Sequence, residues 1–180
     1  MPAWTPNALG ILRLLAAPLI VWLVLRQDYA LATWVYLFAG VTDGIDGFIA
    51  RRFGLVSELG KLLDPVADKT VVNFTFIATW WMGLLPWWFV VLVLARDTVI
   101  LGAFLVTRLS NRFHDFSPHW LSKANTGLQI ALGTLVLANS AYALGVAPLI
   151  AGFTWAIAAT TVITLGVYIR AWTGSPTASA

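Results

Sequence analysis

Residues 43–68 read DGIDGFIARRFGLVSELGKLLDPVAD and place four aspartates in an otherwise apolar chain. At about 100° per residue, Asp43 and Asp46 fall within one arc of a helix, and Asp64 and Asp68 form a second acidic stripe. Four ionised carboxylates at membrane depth repel one another and lose hydration, so they need protonation, cationic partners or bound metal. Two divalent cations would balance all four charges.

The composition is that of an integral membrane protein. Of the 180 residues, 59% are hydrophobic and 11% are charged, and the mean hydropathy is +0.82. Soluble domains carry about 25% charged residues, so this chain is too apolar to be one. The absence of cysteine excludes disulfides, thiolate metal sites and thiol nucleophiles. Gly102, Gly127 and Gly133 lie in apolar runs, where glycines are expected to allow close helix contacts.

Apolar runs between polar connectors predict an all-α fold with six transmembrane helices in one domain, residues 1–171, and a disordered tail, residues 172–180. A signal peptide is the less favoured alternative for the first run, because its cleavage would leave an odd number of spans. Pro65 allows a kink in helix 3, or a start of helix 3 with Asp64 as its cap. Residues 110–123 are predicted to form a polar connector. The predicted spans are 7–25, 29–51, a third helix through Asp64 and Asp68 to 82, then 87–109, 124–144 and 148–171.

The basic residues predict the orientation of the chain. Connectors 2 to 3 and 4 to 5 and the C-terminus are basic, while connectors 3 to 4 and 5 to 6 carry no charge. Lys and Arg accumulate on the inner side of membranes, so both termini and the aspartates are expected there. We therefore predict a polar active-site cavity that faces the cytoplasm.

Aspartates in membrane helices often only pair with basic residues and so seal a polar interface between helices. That interpretation is weak here, because Arg52 and Lys61 can extend to the membrane surface and because pairing does not require small neighbours. Gly47, Ala50 and Gly60 lie beside the carboxylates, and small residues let a bulky ligand approach the backbone. The pattern therefore predicts a binding site.

The spacing of these residues resembles a known family. The chain matches the complete signature of the CDP-alcohol phosphotransferases as Asp43-x-x-Asp46-Gly47-x-x-Ala50-Arg51, eight residues, then Gly60-x-x-x-Asp64-x-x-x-Asp68. The resemblance extends over nearly the whole chain and implies a dimeric six-helix fold in a bacterial or mitochondrial inner membrane. Its other parts are Pro6-Asn7 and Arg13 in helix 1, Leu63-Asp64-Pro65 and Ala67-Asp68-Lys69 in helix 3, Arg96-Asp97 in helix 4 and Ser122-Lys123-x-Asn125-Thr126-x-x-Gln129 at helix 5.

This resemblance implies a phosphatidyltransferase that uses CDP-diacylglycerol as donor and releases CMP. By the same resemblance, the four aspartates hold two divalent ions, Mg²⁺ or Mn²⁺, at the pyrophosphate of the donor, which suits hard cations. Asp68 is also the expected general base for the hydroxyl of the acceptor. The residues expected to shape the cytidine diphosphate pocket are Gly47, Ala50, Arg51 and Gly60.

The choice of acceptor depends on the segment that opens helix 5. Family members that make phosphatidylglycerophosphate carry a second lysine where this chain has Asn125, and a phosphate dianion calls for a tight basic cluster. Asn125 and the Arg96-Asp97 pair are similar to the eukaryotic-type cardiolipin synthases, whose acceptor phosphatidylglycerol is a singly charged diester. We therefore favour phosphatidylglycerol over glycerol 3-phosphate. The candidate acceptor-binding residues are Arg96, Arg108, Arg112, Lys123 and Asn125.

A cation transporter or channel with the aspartates as its ion site is the alternative from another class. Many transporters contain inverted repeats, whereas this acidic pattern occurs once and has no counterpart after Arg96. The enzyme is therefore the preferred hypothesis. Its expected partners are CDP-diacylglycerol, a lipid or polyol-phosphate acceptor, the bilayer and a second copy of the chain, without nucleic acid.

Overall fold

Six helices make up the part of the chain that the computed structural model describes. No strand occurs in this part, which confirms the all-α class. The backbone is described for residues 5–53, 58–109 and 120–173, and the side chains for residues 12–42, 69–102 and 124–166. The helices are α1 (Thr5–Leu25), α2 (Tyr29–Phe53), α3 (Glu58–Trp81), α4 (Trp87–Leu109), α5 (Trp120–Tyr142) and α6 (Ala147–Thr173).

The predicted boundaries agree with these helices except at two places. Helix α5 begins at Trp120, so the predicted connector is too long, and Lys123 belongs to the helix. Apolarity marks only the part of a helix that lies in hydrocarbon, whereas the backbone hydrogen bonds continue through polar residues. Helix α3 begins at Glu58, seven residues before Pro65, so the alternative in which Asp64 caps its start is wrong.

Short turns end α1 and α3 by local hydrogen bonding. After α3, Gly83 adopts a φ of 73°, and the amide of Leu84 donates to the carbonyl of Thr79 at 2.9 Å. Glycine takes this left-handed conformation without a steric penalty, and the turn satisfies carbonyls that the helix end leaves open. After α1, Asp28 Oδ1 accepts a hydrogen bond of 3.2 Å from the amide of Leu31 and caps the start of α2.

The interior consists of two apolar clusters that share helices α3 and α5. The first cluster joins α1 and α2 to Val71 of α3 and Leu137 of α5. The second cluster joins α4 and α6 to Val72 of α3 and Leu132 of α5. Because the adjacent residues Val71 and Val72 belong to different clusters, α3 lies between the two halves of the bundle and packs against both.

Large apolar side chains, including Trp34, Phe38 and Trp155, are exposed on the outside of the bundle. Such a surface is unusual in soluble monomers and suits contact with lipid. Among the described residues, Ala147–Gly166 is the one segment both long and apolar enough to cross a membrane, and α1 and α2 contain shorter apolar stretches. The six helices of the described residues agree with the predicted number of helices. The number of helices that cross the membrane stays a prediction.

Helices α2 and α5 approach each other closely at Gly133. A methyl group added there would lie 2.6 Å from Tyr36 Oη and 2.8 and 2.9 Å from two carbons of the ring. Tyr36 is buried in the first apolar cluster, so its ring has little room to move. The expected close contact is confirmed at Gly133, whereas methyl groups at Gly102 and Gly127 would meet nothing within 4 Å.

Gly133→Ala is expected to lower the free energy of unfolding by about 1–3 kcal/mol, because the added methyl overpacks the ring of Tyr36. Gly127→Ala on the same helix is the matched control, and it should be neutral or slightly stabilising because alanine favours helix. Thermal unfolding in detergent measures both variants. Equal melting temperatures for the two would contradict the close packing at Gly133.

Candidate functional site

Helices α2 and α3 carry the four aspartates at matching depths. Asp43 lies ten residues before the end of α2, and Asp68 lies ten residues after the start of α3. The two helices are in contact and are joined by four residues, so they run antiparallel. At about 1.5 Å per residue, both Cα atoms lie about 15 Å from that end of the bundle. Asp46 and Asp64, seven and six residues from the same helix ends, lie at about 10 Å.

The side chains of these four aspartates lie outside the described residues, so their metal-binding roles and the general-base role of Asp68 stay predictions. Among the side chains that are described, no group of three or more His, Cys, Asp or Glu could hold a metal ion. The predicted nucleotide pocket also stays untested at the level of side chains. Its residues lie on the same two helices: Gly47, Ala50 and Arg51 on α2, and Gly60 on α3.

A buried ionic cluster joins α3, α4 and α5 next to the motif. Lys69 Nζ donates to Asp97 Oδ1 at 2.9 Å and to Thr126 Oγ1 at 3.3 Å. Arg96 Nη1 donates to the same Asp97 oxygen at 2.7 Å. The side chains of Arg96 and Asp97 are 1% and 2% exposed, and that of Lys69 is 19% exposed. We refer to these four residues as the Lys69 cluster.

The Lys69 cluster contains two cations and one carboxylate. Moving an ion out of water costs several kcal/mol, and a close counter-charge offsets this only when the geometry is good. The predicted mid-span pair of Arg96 and Asp97 is confirmed as a direct contact. Acceptor binding by Arg96 stays a prediction, and it would require the acceptor to reach a side chain that is only 1% exposed.

Asn125 lies between α5 and α6. Its Nδ2 donates to Thr161 Oγ1 at 3.2 Å, and its Oδ1 accepts a hydrogen bond of 2.9 Å from Thr160 Oγ1. Asn125 and Thr161 are fully buried. Both ends of the amide are therefore used in joining two helices. An acceptor contact at Asn125 stays a prediction that this burial does not favour.

The remaining candidates for acceptor binding lie near the ends of α4 and α5. Arg108 is one residue before the end of α4, and Lys123 is in the first turn of α5. The side chains of both residues, and Arg112 as a whole, lie outside the described residues. In an up-and-down bundle these helix ends share a face with the end of α2 and the start of α3. Their roles stay predictions.

Arg13 lies inside the bundle, where two cavities meet. It lines a groove of about 190 Å³ between α1 and α2 and a cavity of about 30 Å³ that Tyr36 and Thr126 also line. The groove is mostly apolar, and one of its walls is Thr42, the residue before Asp43. Arg13 is buried, although a charged side chain is rarely placed in such surroundings without a function.

Arg13, Lys69 and Thr126 belong to the family resemblance, but the sequence gives uneven signals for their contacts. Lys69 lies in a membrane-depth helix, where a lysine needs an anionic partner, so a search for that partner could have led to Asp97. Thr126 offers no such signal. Most threonine hydroxyls in this bundle, such as those of Thr75 and Thr79, donate to carbonyls of their own helix.

Comparison with known sequences identifies the family. The profile of the family described as CDP-alcohol phosphatidyltransferase matches residues 3–169. The chain belongs to the CDP-alcohol phosphatidyltransferase family. This finding confirms the resemblance drawn from the aspartate motif, and it covers all six helices apart from the last residues of α6.

The relatives of this phosphatidyltransferase carry two kinds of name. A cardiolipin synthase (CMP-forming) of Streptomyces coelicolor is 35% identical over 85% of this chain and 73% of that protein. The human protein of the same name is 32% identical over 75% of this chain. A chloroplastic CDP-diacylglycerol–glycerol-3-phosphate 3-phosphatidyltransferase of rice is 33% identical over 71% of this chain. The match spans only 50% of the human protein and 44% of the rice protein.

Asn125→Ala is expected to lower the free energy of unfolding by about 1–3 kcal/mol, because it removes two hydrogen bonds between α5 and α6. Thr134→Val on the same helix is the control, since its hydroxyl donates only to Ile130 of its own helix. Thermal unfolding and the KM for the acceptor should be measured together. A raised KM with an unchanged melting temperature would instead identify Asn125 as a direct acceptor contact.

Proposed function

We propose that this phosphatidyltransferase is a membrane enzyme that transfers a phosphatidyl group from CDP-diacylglycerol to a hydroxyl of phosphatidylglycerol, giving cardiolipin and CMP. The 35% identity to a protein named cardiolipin synthase (CMP-forming), over 85% of the chain, carries this proposal. The rat protein of the same name, 33% identical over 75% of the chain, supports it. Family membership favours the enzyme over the cation transporter that the aspartates alone also allowed.

The charges near the site support an acceptor with a single negative charge. Of the five candidate acceptor residues, Arg96 and Asn125 are the two whose side chains are described. Arg96 is paired with Asp97, and Asn125 is neutral and bonded on both sides. A phosphate dianion needs several convergent cations, whereas the diester of phosphatidylglycerol needs fewer. These contacts therefore favour the lipid acceptor.

Two divalent cations, Mg²⁺ or Mn²⁺, are proposed to bind between α2 and α3. The donor set fits them, because carboxylate oxygens are the preferred ligands of hard cations. The positions of the aspartates along the two helices fit as well. Each helix supplies one aspartate at about 10 Å and one at about 15 Å from the same end of the bundle. When bound, the ions would neutralise the charge of the donor pyrophosphate and of the departing CMP.

Asp68 is proposed to accept the proton of the acceptor hydroxyl while that oxygen attacks the phosphatidyl phosphorus. A new phosphorus–oxygen bond forms, and the bond from this phosphorus to the CMP oxygen breaks. CMP leaves with the bonding electrons. Gly47, Ala50 and Gly60 are proposed to admit the nucleotide close to the backbone, and Arg51 to pair with a phosphate.

The proposed orientation places both termini and the site on the cytoplasmic or matrix side of an inner membrane. The basic residues at the adjoining ends of α2 and α3, and at and between the adjoining ends of α4 and α5, support this orientation through the preference of Lys and Arg for the inner side. Six spans follow if every helix crosses the bilayer. A homodimer remains a proposal that rests on the family resemblance.

Phosphatidylglycerophosphate synthesis is the second candidate function. The rice relative has a name that specifies glycerol 3-phosphate as the acceptor, and its identity of 33% is close to that of the cardiolipin synthases. Arg108, Arg112 and Lys123 could supply a dianion site near the helix ends. The two functions share the donor, the metals and the base, and they differ only in the acceptor.

An acceptor screen separates the two candidates. Purified enzyme with CDP-diacylglycerol and Mn²⁺ is expected to release CMP with phosphatidylglycerol and to form cardiolipin, while glycerol 3-phosphate supports little release. Mass spectrometry identifies the lipid product, and a chelator should stop the reaction in either case. Turnover with glycerol 3-phosphate alone would reverse the choice of acceptor.

Asp68→Asn is expected to reduce CMP release by at least about 10²-fold, since it removes the proposed base and a metal ligand together. Asp28→Asn is the matched control, because Asp28 caps α2 at the opposite end of the bundle and asparagine caps equally well. Both variants should keep the melting temperature of the wild type to within a few degrees. Full activity in Asp68→Asn would remove Asp68 from the base role.

A further inference from the structure

The Lys69 cluster has more contacts than stabilisation of the fold requires. Lys69 on α3 reaches Asp97 on α4 and Thr126 on α5, so one side chain links three helices. Buried ion pairs are often no more stabilising than apolar residues of the same size. Their distinctive property is geometry, because charge-assisted hydrogen bonds hold particular atoms at short distances. The cluster is therefore better suited to fixing the position of α3 than to adding stability.

The position of the cluster on α3 is informative. Lys69 precedes Val72 by three residues, and Val72 packs in the cluster shared with α4 and α6. Asp68 precedes Val71 by three residues, and Val71 packs in the cluster shared with α1 and α2. Residues three apart share a helix face. The residue next to the proposed base therefore anchors a neighbouring face of the same helix, about 100° away.

The hydrogen bonds of Lys69 are useful because metal ligands on α3 have to be positioned accurately. A metal or catalytic site has to be held to within about 0.5 Å. Ligand atoms lie about 5–6 Å from a helix axis, so a rotation of about 10° already moves them by about 1 Å. Apolar packing alone is non-directional and resists small rotations of a helix weakly. Hydrogen bonds to two neighbouring helices restrict that rotation directly.

We propose that Arg96 and Asp97, acting through Lys69 and assisted by Thr126, are positioning residues that fix the rotation and height of α3. They keep the aspartates of α3 opposite those of α2, so that all four carboxylates can bind the two cations. The inference rests on the proposed function, in which these aspartates are metal ligands. In this proposal Arg96 has a role of its own. Arg96 neutralises Asp97, so that Lys69 is not the sole counter-charge of this buried carboxylate.

Lys69→Met in the full-length protein is the informative variant. Asp97 stays paired with Arg96 at 2.7 Å, so the variant is expected to fold, while the link from α3 to α4 and α5 is lost. The apparent affinity for Mn²⁺, read from the Mn²⁺-induced rise in melting temperature without lipid substrate, is expected to fall about tenfold. Saturating Mn²⁺ should recover most of the CMP release.

Two controls separate positioning from simple stabilisation. Phe76→Leu removes buried volume from α3 without touching the Lys69 cluster, so it should lower the melting temperature and leave the Mn²⁺ affinity unchanged. Lys69→Arg keeps a cation in reach of Asp97 and should restore part of the Mn²⁺ affinity. Asp97→Asn provides an independent variant of the same link, with the same expected loss of Mn²⁺ affinity.

The outcomes distinguish this inference from the proposed function. Wild-type Mn²⁺ affinity in Lys69→Met and in Asp97→Asn, with activity that follows only the folded fraction, would overturn the positioning role and leave the proposed function intact. A wild-type protein that neither binds Mn²⁺ nor releases CMP would overturn both. Reduced Mn²⁺ affinity in both variants, with normal affinity in Phe76→Leu, supports the positioning role.

Discussion

A carboxylate buried in an apolar helical bundle needs a counter-charge, and this need governs the arrangement of the protein. The counter-charges of Asp97 come from within the fold, because Lys69 and Arg96 both donate hydrogen bonds to its Oδ1 atom. The four aspartates of α2 and α3 have the same need on a larger scale, and Arg52 and Lys61 on these helices can extend to the membrane surface. Bound divalent ions can supply the counter-charge at that position, because two of them balance the four negative charges. The same electrostatic requirement thus explains both places. The counter-charges of Asp97 come from the protein, and those of the four aspartates are proposed to come from bound metal ions.

Helix α3 connects these two arrangements. One face packs with α1 and α2, another packs with α4 and α6, and α5 contributes to both clusters. By the positioning role proposed above, a change in the Lys69 cluster alters the height and rotation of the aspartates without any contact to them. The close approach of Tyr36 to Gly133 stiffens the other side of the bundle in the same way, because α2 cannot slide along α5 past the glycine. The proposed site is carried by helices, which is where accurately held ligands are expected.

The helices and the family could be predicted from the sequence, because apolar runs of about 20 residues and eight spaced residues are both local patterns. The contacts across helices could not. Arg96 and Asp97 are adjacent in sequence, yet Lys69 is 28 residues away from Asp97, and nothing local indicates that the three meet. The sequence predicts an acceptor contact for Asn125, whereas its amide bonds to threonines 35 and 36 residues further along the chain. The start of α5 was missed because polar residues continue the helix beyond the apolar run.

The burial of Asn125 also changes how acceptor choice is understood at this position. An amide bonded to Thr160 and Thr161 needs no charge, whereas a lysine there would bring an ammonium group into an interface made of hydroxyl groups and apolar side chains. Such a group would have to find an anion or extend out of the interface. The residue at position 125 therefore sets the charge of the α5–α6 interface. With asparagine in place, the described part of this interface is neutral, and we propose that cations for an acceptor phosphate come from the helix ends that carry Arg108 and Lys123.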